Sequence, residues 1–209
     1  EARAGISFAA QGLSTATAVA GGYTLALTAN AAVAVTGTVG TTAFSATVDM
    51  SKGNVKLDVV DAKTFLTSGN ITLGTGLHNV TLLGVSGLTA VGNGFANIIT
   101  GNSGGNSINA GAGADVVNGM AGNDTLLGGA GADTVNGGLG NDRIDGGFDS
   151  DRMYGNAGAD VFVFADNFGR DVVSDFSVAA LDKLSLDDQI WGGTVMTAAQ
   201  VVSNFAHVV

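Results

Sequence analysis

The chain reads as an all-β fold organised around a parallel β-solenoid, and three observations predict it. The first is an unbroken nine-residue period from Gly92 to Val163, eight units with no insertion or deletion. Self-similarity at a fixed period is the signature of stacked structural repeats. The second is the eighth position of the units, which is Ile99, Ile108, Val117, Leu126, Val135, Ile144, Met153 and Phe162. One apolar side chain per unit is what a thin solenoid core requires. The third is composition, with 34 Gly and no Pro. Glycine at that density without a collagen period fits a turn-dense solenoid.

Residues 1–68 form a first region, rich in Ala, Thr and Val. Period-two alternation at Tyr23, Leu25 and Leu27, at Phe44, Ala46, Val48 and Met50, and at Val55, Leu57 and Val59 predicts strands. Gly21-Gly22, Gly37, Gly40 and Ser51-Lys52-Gly53-Asn54 punctuate them. A small antiparallel sheet or sandwich is the expected product, with a helical turn or two over Asp61–Ser68. Residues 69–91 place Leu73, Leu82 and Val91 at spacings of nine, and read as irregular lead-in coils without acids. The repeat occupies 92–163. Residues 164–209 form a cap, as solenoids need at an open end. There DVVSDF (171–176) and DKLSL (182–186) read as strands. A capping box at Thr197–Gln200, followed by Val201, Val202, Phe205 and Val208, predicts a short terminal helix.

Within the repeat, position six is Asn97, Asn106, Asp115, Asp124, Asp133, Asp142, Asp151 and Asp160. Position four is Phe95, Gly104, Gly113, Gly122, Gly131, Gly140, Asp149 and Gly158. Each unit is read as a Gly-rich loop of six residues and a short strand. Two units make a coil of 18 residues with a loop on either side. Position-eight side chains then stack in two ladders, and loops on one side repeat near the strand spacing of about 4.8 Å. Carboxylates stacked that closely repel unless a cation lies between them. The donors on offer are carboxylates and backbone carbonyls. Hard oxygens in a flexible loop favour Ca²⁺ over Mg²⁺, which demands a tighter octahedron.

The units GMAGNDTLL (from Gly119), GGAGADTVN (from Gly128) and GGLGNDRID (from Gly137) resemble GGxGxDxUx, the nonapeptide of the RTX family. The tail from Gly155 to Leu186 resembles the C-terminal part of serralysin-type calcium-binding modules. The resemblance implies a calcium-loaded parallel β-roll, a right-handed solenoid, in a bacterial protein exported by type I secretion. It also implies a ligand rule. One loop gives the carbonyls of positions two and four with its Asp. The loop a coil later gives the carbonyls of positions one and three with its own Asp. By register this pairs Asp115 with Asp133, Asp124 with Asp142, Asp133 with Asp151, and Asp142 with Asp160. The implied backbone donors are Gly111 and Gly113; Gly119, Met120, Ala121 and Gly122; Gly128, Gly129, Ala130 and Gly131; Gly137, Gly138, Leu139 and Gly140; Gly146 and Phe148; and Gly155 and Ala157. A weaker fifth site would use Asn102, Gly104 and Asn106 with Asp124. Asn97 with Asp115 is weaker still, because Phe95 replaces a glycine. Four calcium ions are expected, rising to six if both weaker sites fill.

Charge and motifs narrow the function. From Asp115 to Asp188 there are 14 Asp against Arg143, Arg152, Arg170 and Lys183, and the net charge is −10. This argues against a nucleic-acid partner, which needs a basic footprint. No apolar run is long enough to span a membrane. With no Cys there is no disulfide scaffold. The GxSxG match at Gly101–Gly105 lies inside the repeat, so Ser103 is not read as a nucleophile. His78 and His207 stand apart from other ligand types, and Trp191 and Phe205 are read as core of the cap. No Sec-type signal is visible, and a start at Glu1 suggests a fragment or processed product. The expected role is extracellular and non-enzymatic: a self-associating surface-layer, matrix or adhesin protein, with other copies or a cell-surface polysaccharide as partners. The alternative is the C-terminal module of a secreted metalloprotease, lipase or epimerase.

Overall fold

The computed structural model describes residues 6–10, 17–19, 22–27, 32–39, 42–49, 55–61, 63–165 and 169–186. All regular elements there are strands. The first six are β1 (Ile6–Ala10), β2 (Thr17–Val19), β3 (Gly22–Leu27), β4 (Ala32–Val39), β5 (Thr42–Asp49) and β6 (Val55–Val59). Shorter strands follow: β7 (Thr64–Thr67), β8 (Asn70–Leu73), β9 (Asn79–Leu82), β10 (Thr89–Val91) and β11 (Ile98–Thr100). The repeat adds β12 (Ser107–Ala112), β13 (Val116–Ala121), β14 (Thr125–Ala130), β15 (Thr134–Leu139), β16 (Arg143–Phe148) and β17 (Arg152–Ala157). The chain continues with β18 (Val161–Phe164), β19 (Val172–Val173) and β20 (Lys183–Leu186). The expected terminal helix, Trp191, Phe205 and His207 lie outside the described residues. Among the described residues no helix is long and apolar enough to cross a membrane.

The strands form two sheets of ten, in the orders β1-β4-β5-β8-β10-β12-β14-β16-β18-β20 and β19-β17-β15-β13-β11-β9-β7-β6-β3-β2. From β7 and β8 onward every pairing is parallel, and the chain alternates between sheets, as a solenoid must. Register through the repeat is 18 residues: Ile108 faces Leu126, which faces Ile144, which faces Phe162. The other ladder runs Val80, Ile99, Val117, Val135, Met153 and Val173. All eight position-eight side chains are buried. The lead-in coils belong to the same ladders with one extra residue, since Ile71 faces Ala90 and Val80 faces Ile99.

Three details differ from the sequence reading. Gly37, read as a turn between strands, lies inside β4 opposite Phe44. Asp61–Ser68 contains β7, not a helical turn, because Phe65 pairs with Val80 and Val59 on either side and is fully buried. Sheet pairing overrides a weak local preference. The strands of the repeat also run on into positions one to three of the next unit, so the loop is three residues, as at Gly122–Asp124 between β13 and β14. The alternating strands of the first region divide between the two sheets by antiparallel pairing, with β5 on β8 and β6 on β7. Phe44 and Phe65 meet edge to face at 5.1 Å, and one apolar cluster runs from Val33 to Phe162.

Candidate metal centre

Positions two and four of each loop turn through left-handed backbone from the third unit onward. Gly111 and Gly113 have φ of 101° and 127°, and Gly138 and Gly140 have 113° and 123°. Met120, Asp149 and Asn156 hold the same turn without glycine, at φ 80°, 75° and 65°. Asp149 therefore preserves the loop that its position-four glycine relatives make.

The turn points position six inward. Asp115, Asp124, Asp133, Asp142, Asp151 and Asp160 are each no more than 3% exposed. Each Oδ1 accepts the backbone N–H of the position-six residue one coil earlier. Asp115 N donates to Asp133 at 2.8 Å, Asp124 N to Asp142 at 2.8 Å, Asp133 N to Asp151 at 2.8 Å and Asp142 N to Asp160 at 2.9 Å. The second oxygen, Oδ2, is buried in all six without a hydrogen-bond partner among the described residues. A buried charge without a partner costs several kcal/mol, so a row of them calls for a cation. Position one is glycine beside these atoms for a steric reason. A Cβ on Gly128 would stand 2.5 Å from Asp133 Oδ2 and 2.5 Å from Gly146 O. Carboxylate and carbonyl oxygens thus crowd one side of the loop. No three acidic or imidazole side chains gather around one point among the described residues, so an ion held here would need most of its donors from elsewhere, and backbone carbonyls are at hand. Oxygen-only donors in a flexible loop suit calcium.

Burial, partly offset by the N–H bond to Oδ1, pushes Asp133 and Asp142 up to about 7 and Asp124 and Asp151 up to about 6. Asp115 and Asp160 are raised for the same reason. Neighbouring carboxylates add to the shift at Asp133, Asp142, Asp151 and Asp160. The folded, metal-free chain therefore binds protons more tightly than the unfolded chain. Its stability rises as pH falls below about 7 and is lost as pH climbs through 6 to 7. In chelator, far-UV circular dichroism should show more β-structure at pH 5 than at pH 8. Saturating calcium should abolish the difference, and the reverse order in chelator would contradict the burial of these groups.

The first two units are built differently. Asn93 and Asn102, at position two, turn their side chains into the loop. Asn102 Nδ2 donates to Leu83 O at 3.3 Å and Ser86 O at 3.0 Å, while its Oδ1 accepts from Gly104 N at 2.8 Å and Asn106 Nδ2 at 3.1 Å. Asn93 repeats the pattern with Gly74 O, Leu77 O, Phe95 N and Asn97 Nδ2. Asn97 and Asn106 accept from the N–H of Asn93 and Asn102. Phe95 lies against the His78 ring at 5.3 Å. Ser103 sits in the loop between β11 and β12, and no helix follows it.

Residues 91–126 and 127–162 each match the family described as RTX calcium-binding nonapeptide repeat (4 copies). The segment is an RTX β-roll. Its two matched stretches cover the Asp ladder and its solenoid register is the one the geometry displays, so calcium is the ion these repeats bind. An RTX β-roll is a structural calcium-binding module and is not catalytic by itself. Such repeats are typical of secreted, extracellular proteins. No curated protein matches the chain.

The sequence reading missed Asp171 and Asp182. Asp151 N donates to Asp171 Oδ1 and Asp160 N to Asp182 Oδ1, both at 3.0 Å. The signal was present as Asp-x-aliphatic at Asp171–Val173 and Asp182–Leu184, but off the nine-residue register.

Proposed function

We propose that this chain is a calcium-folded structural module of an exported protein, with ions held by the pairs Asp115–Asp133, Asp124–Asp142, Asp133–Asp151 and Asp142–Asp160. The carrying observation is the row of buried, unpartnered Oδ2 atoms. Each ion would take those oxygens together with carbonyls of positions one to four in the two loops it joins. In the first two units the side-chain amides of Asn93 and Asn102 take the ion's place, with donated hydrogen bonds standing for the cation's charge. At low calcium inside a cell, carboxylate repulsion and glycine entropy keep the Asp-bearing coils open. Outside, calcium binds only the folded form and drives folding by mass action.

The whole-protein role we favour is a self-associating scaffold of the surface-layer, matrix or adhesin kind, located outside the cell. Supporting it are the edges on which the sheets end, among the described residues, at β1 and β2, since an open edge can accept a neighbouring strand. Adding millimolar calcium to the dilute chain should give ordered lattices or filaments in electron microscopy. Dispersed monomers at every calcium concentration would overturn the scaffold role.

A further inference from the structure

The tail after the matched repeats contains a ninth unit in disguise. Taking Asp171 as position six puts Gly169 at position four and Val173 at position eight, two residues later than unbroken register would. The fold honours that register. β19 pairs in parallel with β17, Val172 on Arg152 and Val173 on Met153, as positions seven and eight do elsewhere. A Cβ on Gly169 would collide with Asp149 O, and Gly131, Gly140 and Gly158 stack on the position-four carbonyl one coil earlier in the same way. Asp151 N donates to Asp171 Oδ1 at 3.0 Å, the bond that links every Asp pair of the repeat. Two further observations point to a ligand. Asp171 Oδ2 is buried with no hydrogen-bond partner among the described residues, and so is Oδ2 of Asp151, a residue only 3% exposed.

We propose that Asp151 and Asp171 hold one more calcium ion, beyond the last matched nonapeptide. The inference rests on the calcium reading of the Asp pairs above. The opposite row ends otherwise. Asp182 Oδ1 accepts from Asp160 N, but its Oδ2 accepts the Ser177 N–H at 2.8 Å, so both oxygens are satisfied. Asp175 closes the same end by accepting from Gly155 N at 2.9 Å and Asn156 N at 2.8 Å. One ion row therefore runs a coil farther than the other. It ties the tail to the roll through a metal, where the other row uses hydrogen bonds.

The test is calcium stoichiometry of the full chain, by equilibrium dialysis and isothermal titration calorimetry. Wild type is compared with Asp171→Asn, Asp182→Asn, Asp175→Asn and Asp133→Asn. Asparagine at 171 keeps an oxygen for the Asp151 N–H. Asp171→Asn should bind one ion fewer, while Asp182→Asn and Asp175→Asn match wild type. An unchanged count in Asp171→Asn overturns the site. An equal loss in Asp175→Asn also overturns it, because the loss then follows from loosening the cap. Asp133→Asn separates the two readings: if it loses calcium while Asp171→Asn does not, only the ninth-unit site fails. If neither loses calcium, the pairing of Asp residues fails with it.

Discussion

Chelating calcium should unfold this chain in part, with the break near the third repeat unit. The position-six carboxylates from Asp115 to Asp160 each bury an oxygen with no hydrogen-bond partner among the described residues. Extracellular calcium sites have affinities of about 10⁻⁴ to 10⁻³ M. At ten times the dissociation constant each site adds about 1.4 kcal/mol, so four supply about 6 kcal/mol. That is the size of a small domain's whole stability, typically about 5–15 kcal/mol. Removing it leaves the Asp-bearing coils with their repulsion and without their compensation. The earlier coils differ, because Asn93 and Asn102 satisfy their loops internally. The antiparallel strands before them share the apolar cluster through Phe44, Phe65 and Val80. Native-state hydrogen exchange in chelator at pH 8 should therefore show β5 and β7 to β9 still protected, and β13 to β17 exchanging freely. Far-UV circular dichroism should fall without vanishing and recover with a midpoint in the range above. Protection over β13 to β17 in chelator at pH 8 would mean that the ionised carboxylates fold without metal.

The parts of this architecture legible in the sequence are those that a strict period imposes. Position eight must alternate between two sheets every nine residues, so Ile99 to Phe162 could be assigned to two ladders from spacing alone. Position six had to stack as well, which made the Asp row readable. The parts that were not legible depend on contacts far along the chain. Alternation at Phe44, Ala46 and Val48 shows that one face of β5 is buried, but not that its neighbour is β8. Asn102 matches a ligand position by register, but the internal hydrogen bonds of its side chain could not be read from that position. Its amide partners, Leu83 and Ser86, are set by coil stacking and carry no motif. Asp171 was hidden by two extra residues between it and Asp160, which shift register without disturbing the parallel ladder. The strand extension into positions one to three was masked by glycine, whose low strand propensity suggests loop.

Replacing Asn102 by alanine should destabilise the chain whether or not calcium is present, and should leave the calcium count unchanged. The substitution strands Leu83 O, Ser86 O, Gly104 N and the Asn106 amide together. At about 1 kcal/mol net per hydrogen bond, with water reaching the outer partners, the loss is about 2–4 kcal/mol. Denaturant unfolding in chelator and in calcium should show the same deficit. A calcium ligand would behave otherwise: its loss would appear only with calcium present and would remove an ion. The converse experiment is a transplant. Asn102→Gly with Asn106→Asp removes the amide and supplies a carboxylate facing Asp124 one coil later, whose Oδ1 already accepts the residue-106 N–H. That variant should gain a calcium ion, and the calcium-dependent part of the roll should extend one coil toward the N-terminus. The boundary between the permanently folded coils and the calcium-gated ones would then be a property of two side chains. Asn102→Ala losing an ion, or the transplant gaining none, would place the boundary elsewhere.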